Sequence, residues 1–301
     1  MTYVVDTYII THQRKKKNIL IKKYSETMKL FKGITLSLAI IFLSFKSFSQ
    51  DIPYGNNPAA GHYINIDGTK IYYEIYGQGK PLVMLHGGVY GYIDEFAPFI
   101  PKLAENFQVI CIATRGHGKS EIGKDPFTYK QRAEDAYKVI RSITKDSVAV
   151  IGFSDGGFSA LKLAALYPDL VKKLIVMGVG DRPKGRQHEK LNYTPDKLMN
   201  SDSAFFASRL KLMPEPNRWG ECLSKLNEMY NNDYISKETF EKIKCPVLLM
   251  NGDQDGYNTI DEFIQCSKYI HNAQVALIPG CYHVIFFCNF PAVWASIQPF
   301  L

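Results

Sequence analysis

The chain has 301 residues, enough for one large domain or two small ones, and its apolar content of 46% is ordinary for a globular protein. The net charge of +7 comes entirely from the first fifty residues, which contain nine Lys and Arg side chains but only Asp6 and Glu26 as acids. The remaining 251 residues hold 27 basic and 27 acidic side chains, a balance that lacks the basic surface needed by a nucleic-acid partner, so none is expected.

The first fifty residues also have the plan of a signal peptide. Lysines precede the apolar run 34–45, and small serine residues follow it. This run is shorter than the ~20 apolar residues of a membrane-spanning helix, so we favour cleavage near residues 49–50 over a retained anchor. The protein is then periplasmic or secreted and meets the membrane only transiently, during export. A further hypothesis is that residues 1–27 are an extension upstream of a true start at Met28, which opens this pattern.

The next segments have the patterns of β-strands. Residues 63–66 and 71–76 alternate apolar and polar side chains around Asp67-Gly68, which is typical of an antiparallel hairpin. Short runs rich in Val and Ile then indicate strands that are buried on both faces of a parallel sheet. These runs are 81–85, 109–113, 148–153, 174–178, 247–250 and 275–278.

Stretches with helical spacing separate these runs, at 95–105, 129–143, 158–166, 260–270 and 284–297. Alternating strands and helices predict an α/β fold whose ligands bind at the carboxyl ends of the strands. Residues 181–243 are polar and helix-prone and contain no buried-strand run. We therefore predict a core formed by 51–180 and 244–301, with 181–243 as a helical cap above those strand ends.

The strongest functional signal is the run Gly152-Phe153-Ser154-Asp155-Gly156-Gly157, a G-x-S-x-G motif between a predicted strand and a predicted helix. In this context the serine occupies a sharp, strained turn, and the glycines prevent collisions with neighbouring backbone. Ser154 is therefore the expected nucleophile. A serine hydroxyl reacts well only when a neighbouring base removes its proton.

His283 is the expected base, because it follows the last predicted strand and precedes the last predicted helix. The acid that orients it should follow the strand at 247–250, where Asp253 and Asp255 both lie. We favour Asp255, because Asp253 lies nearer the strand end and can instead bond the turn backbone. Asp181 is a more distant alternative.

Two backbone N–H groups are expected to form the oxyanion hole, those of Gly88 and Asp155. His86, just before the glycines, is interpreted as a structural residue. We consider two hypotheses for the side chain of Asp155. Either it binds a cationic group of the substrate, or it points into the protein and bonds neighbouring groups.

No cofactor and no metal ion are expected. The run Gly118-Lys119-Ser120 resembles the end of a phosphate-binding loop, but Ala113 occupies the position of its first glycine. The six cysteines have no C-x-x-C or zinc-like spacing, and disulfides are permitted but not required.

From about residue 63 to its end, the chain resembles the α/β-hydrolase superfamily, in particular small serine hydrolases and esterases. The resemblance is carried by H-G-G at 86–88, R-G-H-G-x-S at 115–120 and G-x-S-x-G-G at 152–157. It implies an eight-stranded, mostly parallel sheet, a helical cap and a Ser-Asp-His triad.

The function expected from this resemblance is cleavage of a carboxylic ester of a small, moderately apolar substrate through an acyl-enzyme. The alternatives are hydrolysis of a lactone, an amide or a carbon–carbon bond by the same triad, or a binding protein on the hydrolase fold.

Overall fold

The structure is a computed structural model, and it describes residues 52–186 and 188–301. The predicted signal peptide, its cleavage site near residues 49–50 and the proposed start at Met28 all lie outside these residues. Across the described ranges, none of the helices combines the length and the apolar character that a bilayer crossing requires.

The first two strands form the predicted hairpin. Strand β1 (Gly61–Ile66) pairs antiparallel with β2 (Thr69–Tyr76), and Ile66 lies opposite Thr69. Asp67 and Gly68 connect the strands with φ values of 51° and 80°. Two successive positive φ values give a turn whose twist matches that of the strands, which is why Asp-Gly suits this position.

Six further strands complete an eight-stranded sheet of order β1-β2-β4-β3-β5-β6-β7-β8, in which β2 and β4 pair antiparallel and the strands from β4 through β3 to β8 run parallel. The prediction of a mostly parallel α/β-hydrolase sheet is therefore confirmed. The strands are β3 (Lys80–Leu85), β4 (Phe107–Ile112), β5 (Val148–Phe153), β6 (Val171–Met177), β7 (Val247–Gly252) and β8 (Ala273–Ile278).

Helices cover both faces of this sheet, and alternate residues of each central strand pack against opposite faces. In β3, Leu82 and Met84 belong to one buried apolar cluster, while Val83 and Leu85 belong to the other. The helices are α1 (Ile100–Leu103), α2 (Tyr129–Ile143), α3 (Asp155–Leu166), α4 (Pro195–Ser201), α5 (Ser203–Leu210), α6 (Trp219–Asn232), α7 (Lys237–Phe240), α8 (Ile260–Tyr269), α9 (Ile285–Cys288) and α10 (Phe290–Ile297), with 3-10 helices at Ile93–Phe96 and Pro216–Arg218.

Two of the predicted helices are broken. The stretch 95–105 contains a 3-10 helix that ends at Phe96 and the short helix α1, because Pro98 has no N–H to donate and its ring obstructs a continuous helix. The stretch 284–297 divides into α9 and α10 at Asn289, whose φ and ψ of −145° and 73° are not helical. The Asn289 side chain accepts the N–H of Ala292 and caps α10.

The segment between β6 and β7 carries the helices α4 to α7 and contacts loops at the carboxyl ends of two strands. Arg209 of α5 forms an ion pair with Asp94, in the loop after β3, at 2.7 Å. Glu215 accepts the N–H of Ile122, in the loop after β4, at 2.7 Å. These contacts hold the segment over the edge of the sheet at which Ser154 lies. The cap boundaries of 181–243 remain a prediction.

Candidate active site

Ser154 occupies the turn between β5 and α3. Its φ is 50°, one of two positive values for non-glycine residues in the described chain, and such a backbone costs energy that the surrounding contacts must offset. A side chain on Gly156 would collide with the carbonyl oxygens of Leu85 and His86. A side chain on Gly152 would meet the Gly156 carbonyl oxygen and the Cα of Gly157. Small residues are therefore required for this sharp turn.

His283 and Asp255 lie in line with Ser154. The His283 Nε2 atom is 2.8 Å from Ser154 Oγ, and Nδ1 is 2.8 Å from Asp255 Oδ2. In the tautomer that carries its proton on Nδ1, the ring donates to Asp255 and accepts from the serine hydroxyl. The structure thus brings together the three residues that the sequence analysis singled out as nucleophile, base and acid.

The carboxylate of Asp255 is held in place by backbone groups. Its Oδ1 atom accepts the N–H of Tyr257 at 2.8 Å and that of Asn258 at 3.2 Å. Burial raises the pKa of Asp255, but the hydrogen bond from His283 and these backbone N–H groups outweigh it, so the net pKa lies below its usual value. Asp253, the alternative acid, is exposed, and Asp255 is the residue bonded to the imidazole.

The loop after β3 places Gly88 beside the turn that carries Ser154. The N–H of Gly87 donates to Glu95 Oε1 at 2.5 Å, so that group is occupied. The N–H of Gly88 has no acceptor among the described residues, and Asp155 is the first residue of α3, where helix N–H groups lack intrahelical partners. Both residues line the cavity, and neither N–H group assigned to the oxyanion hole has an acceptor among the described residues.

His86 braces this loop. Its Nε2 atom accepts the N–H of Thr114 at 3.0 Å and its Nδ1 atom donates to the carbonyl of Gly87 at 2.7 Å. Burial lowers the pKa of His86 to about 3, which keeps the ring neutral. The structural interpretation of His86 agrees with these contacts.

The side chain of Asp155 points into the protein. It is 2% exposed, and its Oδ2 atom forms an ion pair with Arg132 Nη1 at 2.9 Å and accepts a hydrogen bond from the Tyr230 hydroxyl at 2.8 Å. Burial raises the pKa of Asp155, and the charge of Arg132 opposes that rise. Oδ2 is paired within the protein, and Oδ1 is buried without a hydrogen-bond partner among the described residues. The ion pair with Arg132 and the near-complete burial favour the second of the two hypotheses for Asp155.

The sequence analysis did not identify Arg132 or Tyr230. They lie on α2 and α6, and no local spacing links either residue to the G-x-S-x-G motif. It also did not identify Glu95, whose pKa burial raises to about 8.

A disulfide joins Cys281 and Cys288 and encloses the loop that carries His283. The sequence left this pairing open. Among the described residues, the other four cysteines are buried and unpaired: Cys111, Cys222, Cys245 and Cys266.

A cavity of about 580 Å³ opens onto Ser154 and His283. Its walls are mainly aromatic and aliphatic, with a few charged side chains, and helix α5 and helix α6 of the β6–β7 segment contribute Phe205 and Tyr230. A concave, largely apolar site with a few placed polar groups suits a small organic molecule.

Comparisons with known proteins agree with this fold. The family described as alpha/beta hydrolase fold matches residues 80–214. A 2-hydroxy-6-oxo-6-(2'-aminophenyl)hexa-2,4-dienoic acid hydrolase of Metapseudomonas resinovorans is 30% identical over 258 residues, covering 78% of this chain and 85% of that protein. The serine hydrolase BPHL of Homo sapiens is 23% identical over 238 residues, covering 73% of this chain and 79% of that protein.

Among solved structures, the enol-lactonase from Burkholderia xenovorans LB400 superimposes with a TM-score of 0.64 at 19% identity, covering 79% of this chain and 99% of that one. At this identity, the likeness shows a common fold.

Proposed function

Because the chain belongs to the α/β hydrolase family and is a hydrolase, we propose that it cleaves a carboxylic ester of a small, moderately apolar substrate through an acyl-enzyme. The observation that carries this proposal is the unbroken hydrogen-bonded chain from Ser154 through His283 to Asp255, which opens into the cavity. The aromatic and aliphatic walls of the cavity support a moderately apolar substrate.

In the proposed mechanism, His283 Nε2 takes the proton of Ser154 as Oγ attacks the ester carbonyl. The backbone N–H groups of Gly88 and Asp155 stabilise the negative charge that develops on the carbonyl oxygen. The imidazolium then protonates the leaving alcohol, and the acyl group remains on Ser154. Water activated by His283 releases the acid, while Asp255 keeps the imidazole in the required tautomer and stabilises its charged form.

A second candidate is hydrolysis of a carbon–carbon bond or a lactone by the same residues. The similarity to a dienoic acid hydrolase, at 30% identity, is the reason to consider such substrates for this protein. The chemistry of Ser154 and His283 is shared by both candidates, so the scissile bond is decided by the substrate that the cavity holds.

The first experiment is labelling of the purified protein with a fluorophosphonate, alongside Ser154→Ala and Ser142→Ala. Ser142 is an exposed serine of α2 and provides the matched control. We expect the wild type and Ser142→Ala to be labelled and Ser154→Ala to remain unlabelled. Absence of labelling in folded wild-type protein would contradict the proposal and favour a binding protein.

The second experiment is a panel of p-nitrophenyl esters of increasing acyl length, supplemented by a lactone and a dienoic acid. Faster turnover of esters supports the first candidate, and faster turnover of the lactone or dienoic acid supports the second.

We also propose that the protein is exported before it acts on its substrate, because its first fifty residues have the pattern of a signal peptide. The N-terminus of the mature protein, determined by sequencing, should lie near residue 50, and an uncleaved N-terminus would contradict export with cleavage. Peptides from residues 2–24 in the native protein would contradict the separate hypothesis that translation starts at Met28.

A further inference from the structure

The charged side chains that line the cavity are largely neutralised within the protein. Arg209 is paired with Asp94 through two hydrogen bonds of 2.7 and 2.9 Å. Asp155 is paired with Arg132. Asp202 accepts the N–H of Phe205 and caps α5. Arg209 and Asp155 therefore have counterions inside the protein, whereas Asp202 is an exposed carboxylate whose bond to the Phe205 N–H leaves its charge in place.

Glu95 also lines the cavity, but it does not supply a countercharge near neutral pH. Burial raises its pKa to about 8, although the N–H of Gly87 opposes this shift. The carboxyl group is therefore largely protonated at neutral pH.

Arg182 differs from Arg209 and Asp155 because it has no counterion among the described residues. It lies in the segment after β6, lines the cavity, and forms no ion pair with any carboxylate in residues 52–186 and 188–301. Its hydrogen-bond acceptors are neutral: Nη2 donates to Asn258 Oδ1 at 3.2 Å, and Nη1 donates to the Tyr129 hydroxyl at 3.4 Å. Its Nε atom is buried without a partner.

The guanidinium group contacts residues of the elements that carry Ser154 and Asp255. It is 4.1 Å from the centre of the Phe158 ring, and Phe158 is one helical turn after Ser154, to whose carbonyl its N–H donates. Asn258, which accepts from Arg182, donates its own N–H to Asp255. Arg182 is thus held between the helix that begins at the nucleophile and the loop that carries the acid.

A partly buried charge without a counterion is costly, and an anionic ligand would remove that cost. The planar guanidinium offers N–H groups in a geometry that matches a carboxylate, and charge-assisted hydrogen bonds of this kind are stronger than neutral ones. The stacking on Phe158 positions the group without neutralising it.

We propose that Arg182 binds a carboxylate group carried by the substrate, so that the enzyme prefers esters of dicarboxylic acids over neutral esters of the same length. This inference rests on the proposed function of Ser154 and names its substrate class. Arg182 is a specificity residue, and it takes no part in proton transfer.

The test compares the p-nitrophenyl monoester of glutaric acid with p-nitrophenyl pentanoate, which has an acyl chain of the same length without the carboxylate. We expect Arg182→Gln to lower kcat/KM for the glutarate ester by ~10- to 100-fold, the range of one or two charge-assisted hydrogen bonds, mainly through KM. The rate for the pentanoate ester should change less than threefold.

Arg186→Gln is the matched control, because Arg186 lies four residues further along the same segment and is paired with Glu262 at 2.6 Å. It should leave the ratio of the two rates unchanged. Equal losses on both esters in Arg182→Gln, or no loss on either, would overturn the inference. If Arg182→Gln does not fold, Arg182→Lys serves in its place, because it keeps the charge but loses the planar fork.

Binding of free glutarate, measured by isothermal titration calorimetry, separates the two proposals. Glutarate binding that disappears in the Arg182 variant supports the carboxylate site even if no ester is cleaved, which would count against the proposed function alone. Ester cleavage by a protein that does not bind glutarate would overturn the carboxylate site and leave the proposed function standing.

Discussion

The substitution Asp155→Asn tests whether the residue after the nucleophile has an internal or a substrate-binding role. The Asp155 side chain is 2% exposed and that of Arg132 is 1% exposed, with 2.9 Å between Oδ2 and Nη1. Asparagine has nearly the same shape but leaves the charge of Arg132 buried and unpaired. Arg132 Nη1 also donates to the Thr114 hydroxyl at 3.1 Å, but this acceptor is neutral, and the Nε and Nη2 atoms lack hydrogen-bond partners among the described residues.

Removing one member of a buried ion pair costs about 3–5 kcal/mol of unfolding free energy. Domains have only about 5–15 kcal/mol in total, so the loss is large. For a domain of this size each kcal/mol shifts the melting temperature by about 2–4 °C. We therefore expect the melting temperature of Asp155→Asn to fall by roughly 6–20 °C.

Thermal unfolding followed by circular dichroism measures this change, and the double variant Arg132→Met with Asp155→Asn is the control. The double variant should recover part of the loss, because it contains no unpaired charge. The ratio of kcat/KM values for cationic and neutral p-nitrophenyl esters should stay constant in Asp155→Asn. A melting temperature within about 2 °C of the wild type, together with a selective loss on the cationic ester, would refute the internal role.

Three further predictions concern the proposed triad, the cavity and the disulfide. Asp255→Asn should lower kcat by ~10⁴-fold because the amide favours the wrong tautomer of His283; steady-state rates check this, and a change below tenfold would contradict the role. Glu95 binds its proton more tightly in the folded than in the unfolded protein, so its contribution to the free energy of unfolding decreases as pH rises from about 4.5 to 8, by at most ~1.4 kcal/mol per pH unit. Urea titrations at several pH values should show that the free energy of unfolding depends less on pH in Glu95→Gln than in the wild type, and equal pH dependences would contradict the assignment. Replacing Cys281 and Cys288 with Ser should lower the free energy of unfolding by roughly 2–3 kcal/mol, as for a short closed loop; a reductant should have the same effect on the wild type and none on the double variant.

The sheet and the three residues of the proposed triad could be predicted because their signals are local. Each buried strand is a short run of Val, Leu and Ile, and the turn at Ser154 needs its glycines within a few positions of one another. Asp255 could be preferred over Asp253 on the spacing from the strand end alone. His283 followed from its place between the last strand and the last helix.

The contacts around Asp155 could not be predicted in the same way. Arg132 lies 23 positions before it and Tyr230 lies 75 positions after it, on elements whose relative placement depends on the whole fold. A carboxylate beside the nucleophile therefore allowed two opposite roles. The helix breaks differ, because the sequence does contain signals for them, Pro98 and Asn289. The sequence analysis predicted continuous helices there because it gave more weight to the apolar periodicity than to these two residues.

The pairing of Asp155 changes which charge the cavity presents to a ligand. An unpaired carboxylate beside Ser154 would have favoured an ammonium group, but Arg132 and Tyr230 occupy that carboxylate. Among the described residues, Arg182 is the cationic side chain of the cavity wall that forms no ion pair, since Arg209 is paired with Asp94. Because like charges repel, and the repulsion is less screened for a partly buried group than in bulk water, a cationic ester should be the poorest substrate of an otherwise matched series. The same residue that favours a carboxylate therefore excludes the substrate class that the sequence motif alone had suggested.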